Sequence, residues 1–381
     1  MPVVALAFLL LILGQGGLSA QPRPAEWRPY FTCGPCQGAG SVRFQHLPVA
    51  LADIDSFVPV GNMVADHVLP TNHAYIEFKG GLVYPPPFGV VAPAAGTVVR
   101  VERLRYQPQP GGPRVTPGDY ALYIEHSCTF YSYFIHLNEL APGLRRKIDR
   151  ELAEDERATC LRIPVESGEA LGLAGSYRAI DFGVVDRERE NPFVNRARYA
   201  GTYVHTLSMQ SPFDYYDEPL KSAFAAKSPR RIEPRGGRNF YDIDGRLVGN
   251  WVLRGSGDYD GRDAPGRPYY FNHLAFAYDK VEPRWIVASL SAAFPAPGQY
   301  GVRGNNPDPA AIDAASGIVR YELVRNFNRN APGAYDTNAL PVAGTLLVRL
   351  IDARTIEVEQ FPGKRSSDIA GFTPAALRFE R

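Results

Sequence analysis

From about Phe57 to Val185, short apolar runs rich in Val, Tyr and Phe alternate with Gly and Pro turns, as in Gly89-Val90-Val91-Ala92-Pro93 followed by Gly96-Thr97-Val98-Val99-Arg100-Val101. β-branched and aromatic runs bounded by turn residues predict strands. Asn138 to Leu161 breaks the pattern: Leu144, Ile148 and Leu152 recur at i, i+4 and i+8 among charged residues, which predicts a helical insertion. Around Tyr215 to Arg235 the chain turns polar and basic, with Lys221, Lys227, Arg230 and Arg231 leading to Gly236-Gly237, and reads as a linker. Beyond it, Leu247–Leu253, Tyr269–Tyr278, Trp285–Leu290, Ile318–Val324, Gly344–Ile351, Thr355–Gln360 and Ala375–Phe379 again read as strands. So many short strands predict a β-barrel or β-sandwich. The expected fold class is therefore mainly β, an antiparallel β domain with a helical insertion followed by a β-barrel or sandwich domain. The expected division is an N-terminal segment 21–56, a β domain 57–230 and a C-terminal domain 231–381.

Composition narrows the functions. Lys plus Arg number 41 against 40 Asp plus Glu, leaving a net charge of +1. No global field draws in nucleic acid or an anionic membrane, so no nucleic-acid partner is expected. With 45% hydrophobic and 21% charged residues, the chain reads as folded and not as disordered.

The first residues add a compartment. An apolar stretch from Val3 to Leu13 precedes Gly14-Gln15-Gly16-Gly17-Leu18-Ser19-Ala20. It is too short to span a bilayer and is followed by small residues, which reads as a signal peptide over 1–20 and a secreted or periplasmic protein without a transmembrane helix in the mature chain. The four cysteines, Cys33, Cys36, Cys128 and Cys160, are an even count that suits disulfides in an exported chain. Cys33-Gly34-Pro35-Cys36 is followed by Gln37-Gly38-Ala39-Gly40, not by the helix that a redox pair needs, so a small structural bridge is expected there. Cys128 with Cys160 would close a loop of about thirty residues, worth about 3 kcal/mol if unstrained.

Four further elements occur in a recognisable order: His73-Ala74-Tyr75-Ile76-Glu77, Pro93-Ala94-Ala95-Gly96-Thr97-Val98, Tyr133-Phe134-Ile135-His136-Leu137, and Gly168-Glu169-Ala170-Leu171-Gly172 leading to Ala179-Ile180-Asp181-Phe182. Together they resemble the M23 (lysostaphin-type) zinc metallopeptidases over about 125 of the 381 residues. In that family a His and an Asp four residues later bind zinc, a Tyr-x-His-Leu-like strand follows, and a terminal His-x-His supplies the last ligand and a catalytic group. The resemblance makes His73 the first ligand, puts Glu77 in place of the Asp and Asp181 in place of the last His, and keeps His136 at a catalytic position, while Ala179 replaces the other catalytic His. A site of one imidazole and two carboxylates cancels the charge of a zinc ion, and oxygen ligands favour harder cations. Losing the group at Ala179 removes roughly 10²- to 10⁴-fold in rate.

The resemblance therefore implies either no cofactor or one divalent metal, zinc among the candidates. A non-catalytic module binding a cell-wall peptide, a glycan or another extracellular ligand is the leading expectation. In that case His73 and His136 line a relic cleft and Glu77 and Asp181 are solvated or paired. An active metal-dependent endopeptidase of the cell envelope is the alternative.

Other features are read more plainly. His67 lies six residues before His73 and could replace a lost ligand, but Pro70 interrupts the run, so the two rings need not share a face. His126-Ser127-Cys128 is set aside as a nucleophile because neighbours on a strand point oppositely. Asp242-Ile243-Asp244-Gly245 and Asp258-Tyr259-Asp260-Gly261 lack the rest of a calcium loop, although Asp263 stands near the second, and both read as hairpin turns. Tyr215, Tyr216, Tyr269 and Tyr270 read as core residues before sugar-stacking ones. Gly249-Asn250-Trp251 with the late Arg378 resembles a lipocalin, in which a first-strand Trp packs under a late Arg, and would make the last domain an apolar-ligand carrier.

Overall fold

The structure is a computed structural model, described here for residues 34–105, 118–154, 157–199, 201–257, 259, 269–325 and 336–381. The signal-peptide reading, Cys33, and the second Asp-Gly turn with Asp263 fall outside those residues. The chain is mainly β with antiparallel sheets, and its last part is a closed barrel.

The first half is built on a nine-stranded sheet. Its main path runs Ile54–Val58, Ala74–Phe78, Ala179–Asp186, Phe130–Leu137, Tyr120–Ser127, Gly96–Arg103 and Arg157–Ala158. A three-stranded sheet, Phe88–Val91, Ala170–Ala174 and Glu139–Leu140, packs against it. Tyr120–Ser127 and Phe130–Leu137 are almost continuously buried because the large sheet is covered on both faces. Leu122, Phe134, Ile180 and Phe182 face one core. Tyr123, Tyr131, Tyr133 and Val185 face another. A strand buried on both sides loses the alternation of a half-exposed one and reads as a solid apolar run. The expected helix forms over Pro142–Glu154, and Leu144, Ile148 and Leu152 are the residues it buries.

The stretch read as a linker contains a helix, Leu220–Lys227. Its Phe224 is fully buried, with its ring centroid 4.3 Å from that of Phe57 and 5.5 Å from that of Tyr216. One buried aromatic in two turns leaves no periodic signal, which is why the polar sequence hid it. Phe44, Val49 and Ile54, from the segment before residue 57, belong to the same core. Tyr215 and Tyr216 are core residues as well.

The last part closes eight strands in sequence order: Gly249–Leu253, His273–Tyr278, Ile286–Leu290, Gly298–Val302, Val319–Val324, Val342–Asp352, Thr355–Pro362 and Leu377–Glu380, the last pairing with the first. Gly298–Val302 escaped the sequence reading because its two glycines interrupt the apolar run. Trp251, Leu274, Phe276, Leu290, Tyr321, Leu346, Val348, Val358 and Phe379 fill the interior. The Arg over Trp251 is Arg381, at 4.2 Å from the ring, and not Arg378, which is half-exposed beside Glu357. On the outer face, Ala275, Ala277 and Val287 pack against Met63 and Leu69 of the first half.

The cysteines pair differently from expectation. Cys36 bonds Cys128, 92 residues away, and Cys160 is also in a disulfide. Both expected pairings, Cys33 with Cys36 and Cys128 with Cys160, are thereby excluded. The spacing of Cys33 and Cys36 reveals nothing about the strand that brings Cys128 alongside. The first Asp-Gly turn binds within the protein: Asp242 accepts from the backbone N–H groups of Asn250 and Val194, and Asp244 pairs with Arg354.

Candidate functional site

A cavity of about 470 Å³ lies between the second face of the large sheet and the barrel. Five of the seven histidines in the chain, His67, His73, His136, His205 and His273, line it together with Asp66 and Asp181. Tyr123, Tyr133 and Ile135 form its floor.

Sheet register explains which residues arrive there. Tyr75 pairs with Asp181, which pairs with Ile135, so the three share a face. His73 enters just before the Tyr75 strand and sets its Nε2 3.3 Å from Asp181 Oδ2. His136 follows Ile135 and would point to the opposite face of a regular strand. Instead the register slips there, Tyr120 opposing Leu137 while Ala121 opposes Ile135, and His136 is the extra residue, at φ 77°. A bulge with a left-handed residue re-aims a side chain, at a cost of about 1–2 kcal/mol for a non-glycine. The result brings His136 Nε2 to 3.9 Å from Asp181.

Around His73 the hydrogen bonds fix a tautomer. Asn72 donates its amide to Thr206 Oγ1 at 3.3 Å, so its Oδ1 is left to accept, from the Tyr133 hydroxyl at 3.5 Å and from His73 Nδ1 at 3.0 Å. With Asn72 in this orientation the proton of His73 is on Nδ1, and the Nε2 lone pair faces the carboxylate of Asp181. That Nε2 is buried and has no hydrogen-bond partner. Tyr133 reaches Asn72 across Gly183, where a Cβ would stand 2.1 Å from the Tyr133 ring.

Electrostatics sharpen the mismatch. Burial, reinforced by His67 and His136, holds the pKa of His73 well below the ordinary histidine value. Burial pushes Asp181 up to about 6, with His136 opposing and Asp119 adding to it. His67 falls to about 4, chiefly by burial, against the pull of Asp66. Burial also opposes a charge on His136, but Asp181 and Asp119 outweigh it and raise the pKa. Near neutral pH a neutral imidazole thus turns its lone pair on a carboxylate, an arrangement that a cation between them would relieve.

The expected residues do not all meet. His73, Asp181 and His136 converge. Glu77 pairs with Arg178 at 3.3 Å and does not line the cavity. Its carboxylate is engaged at that ion pair and not beside His73 and Asp181. Ala179 lies opposite Glu77. His67, read as a possible replacement ligand whose ring need not share a face with that of His73, sits with its ring centroid 5.3 Å from it. Among the described residues no three His, Cys, Asp or Glu side chains are already gathered as a metal centre. Asp119, Tyr177, His205 and His273 were not singled out in the sequence. The only signal for the two histidines is that His is scarce in this chain.

No protein-family model matches the chain, and no curated protein matches it. Among the solved structures similar to parts of it are the following two. A zinc containing peptidase from Vibrio cholerae is 20% identical over 39% of this chain and 38% of its own, with a TM-score of 0.25. The SpoIIQ-SpoIIIAH pore forming complex contains a chain 13% identical over 48% of this chain and 96% of its own, with a TM-score of 0.27. This chain thus spans well under half the length of the peptidase. At these scores neither likeness bears on function.

Proposed function

We propose that the cavity is a metal-dependent peptide site, of the kind the M23 resemblance implies, in an extracytoplasmic protein. The observation that carries this reading is the buried Nε2 of His73, unpartnered and 3.3 Å from Asp181. His73 and Asp181 fit one divalent cation, and His67 is the third donor in place of Glu77. An ion there would polarise an amide carbonyl and generate a nucleophilic water. Asn72 holds the His73 ring with its lone pair toward the ion, as outer-shell partners of metal ligands do. His136, its Nε2 turned into the cavity, moves a proton to or from the reacting amide. The floor of Tyr123, Tyr133 and Ile135 accepts the apolar part of a peptide. The Cys36–Cys128 bond supports an oxidising compartment, and cell-envelope peptides are the substrate class the resemblance suggests.

A non-catalytic peptide-binding role is the second reading. Ala179 favours it, because it leaves His136 without the second proton-transfer group of the family pattern. Incubating purified protein with short peptides, with and without a chelator, separates the two. Hydrolysis abolished by chelation and restored by zinc supports the enzyme. Saturable binding without cleavage supports the module. The barrel interior is occupied by its own side chains, so an apolar-ligand carrier is the least favoured reading.

A further inference from the structure

Behind His136 lies a second layer that no family position accounts for. Its Nδ1 is 3.1 Å from Asp119 Oδ1 and 3.4 Å from Oδ2. Tyr177 donates its hydroxyl to Asp119 Oδ2 at 2.8 Å, and its ring lies against the imidazole with centroids 4.1 Å apart. Asp119 is 2% exposed and Tyr177 is 4% exposed. Both are held in place by Asn138, two residues beyond His136. Its amide donates to Gly118 O at 3.0 Å, next to Asp119, and its Oδ1 accepts from the Ser176 N–H at 2.9 Å, next to Tyr177. One buried side chain thus fixes the backbone on either side of the bulge that presents His136.

A buried carboxylate with two acceptor oxygens has a use for two donors, and here they are the phenol and Nδ1–H. We infer that Asp119 and Tyr177, clamped by Asn138, are positioning residues. They hold the imidazole of His136 with its proton on Nδ1 toward Asp119 and its Nε2 free for the cavity. This rests on reading His136 as the proton-transfer group of the proposed site. A histidine whose tautomer is set by a buried carboxylate loses that setting when the carboxylate becomes an amide that can donate instead of accept.

The test is nitrogen-15 NMR of the imidazoles in full-length, chelator-treated protein at alkaline pH, where His136 is neutral. The parent is expected to show His136 as the Nδ1–H tautomer. Asp119→Asn should move most of the population to Nε2–H and leave His126 unchanged. Tyr177→Phe removes a competing donor, strengthens the His136 bond to Asp119 and should move the Nδ1–H proton resonance downfield. Should Asp119→Asn fail to fold, Tyr177→Phe still decides. An Nε2–H tautomer in the parent, an Asp119→Asn spectrum identical to the parent's, or an Nδ1–H resonance that Tyr177→Phe leaves in place would each overturn the inference. Because the protein is metal-free throughout, the result stands apart from whether it binds an ion.

Discussion

The two halves of this molecule bury different things. The barrel encloses Leu, Val, Phe, Tyr and Trp at interior positions of its strands. The large sheet of the first half has one face packed in the same way, but the other face carries His73, His136, Asp181 and Tyr133 into a cavity. Hydrophobic interiors settle stability, whereas buried ionisable groups that face a cavity cost stability and persist where chemistry needs them. The barrel side meets the cavity only through outward-pointing groups, among them His273. On the proposed reading, the chemistry belongs to the sheet face and the barrel is its wall.

Perturbations can break or sharpen that division. Phe276→Ala, which empties a fully buried place in the barrel, should cost about 3–5 kcal/mol in denaturant unfolding. Metal uptake by whatever remains folded should be unchanged, and a parallel loss of uptake would tie the barrel to the chemistry. Acid comes next. His126 and His273 have pKa values lowered from 6.5 to about 4, chiefly by burial. The unfolded chain therefore takes up their protons first as the pH falls. The contribution of this pair should be flat above about pH 6.5 and fall by a few kcal/mol toward pH 4. A melting temperature that rises over that range would contradict it.

Gly183→Ala sets a Cβ against the Tyr133 ring and should cost about 1–3 kcal/mol. It should also weaken metal uptake, because Tyr133 supports Asn72 and, through it, His73. An unaltered affinity would show that the support is not needed. The smallest effect is expected at the surface. Arg354→Ala removes an exposed pair with Asp244 and should leave the unfolding midpoint within experimental error.

Much of this was legible in the sequence, and the limits have physical causes. Helix Pro142–Glu154 was readable because three buried residues repeat at helical spacing, and most strands because β-branched and aromatic runs stop at turns. Helix Leu220–Lys227 and strand Gly298–Val302 were not, since one buried aromatic or two glycines leave no period. In the site, motif order pointed to His73, His136 and Asp181. It also pointed to Glu77, which spacing could not show to be taken by Arg178. Asp119 and Tyr177 are 17 and 41 residues from His136, on either side, and only the sheet register joins them. His67 was readable as a candidate, but the effect of Pro70 on its direction was not.

The most direct test of the central claim is the metal content of full-length protein purified without chelator, alongside His67→Ala, His73→Ala and Glu77→Gln. The account predicts about one equivalent of a divalent metal in the parent and in Glu77→Gln, and its loss in both histidine variants. A parent that takes up no metal even when supplied with zinc, or a metal that survives His67→Ala but leaves with Glu77→Gln, would contradict it.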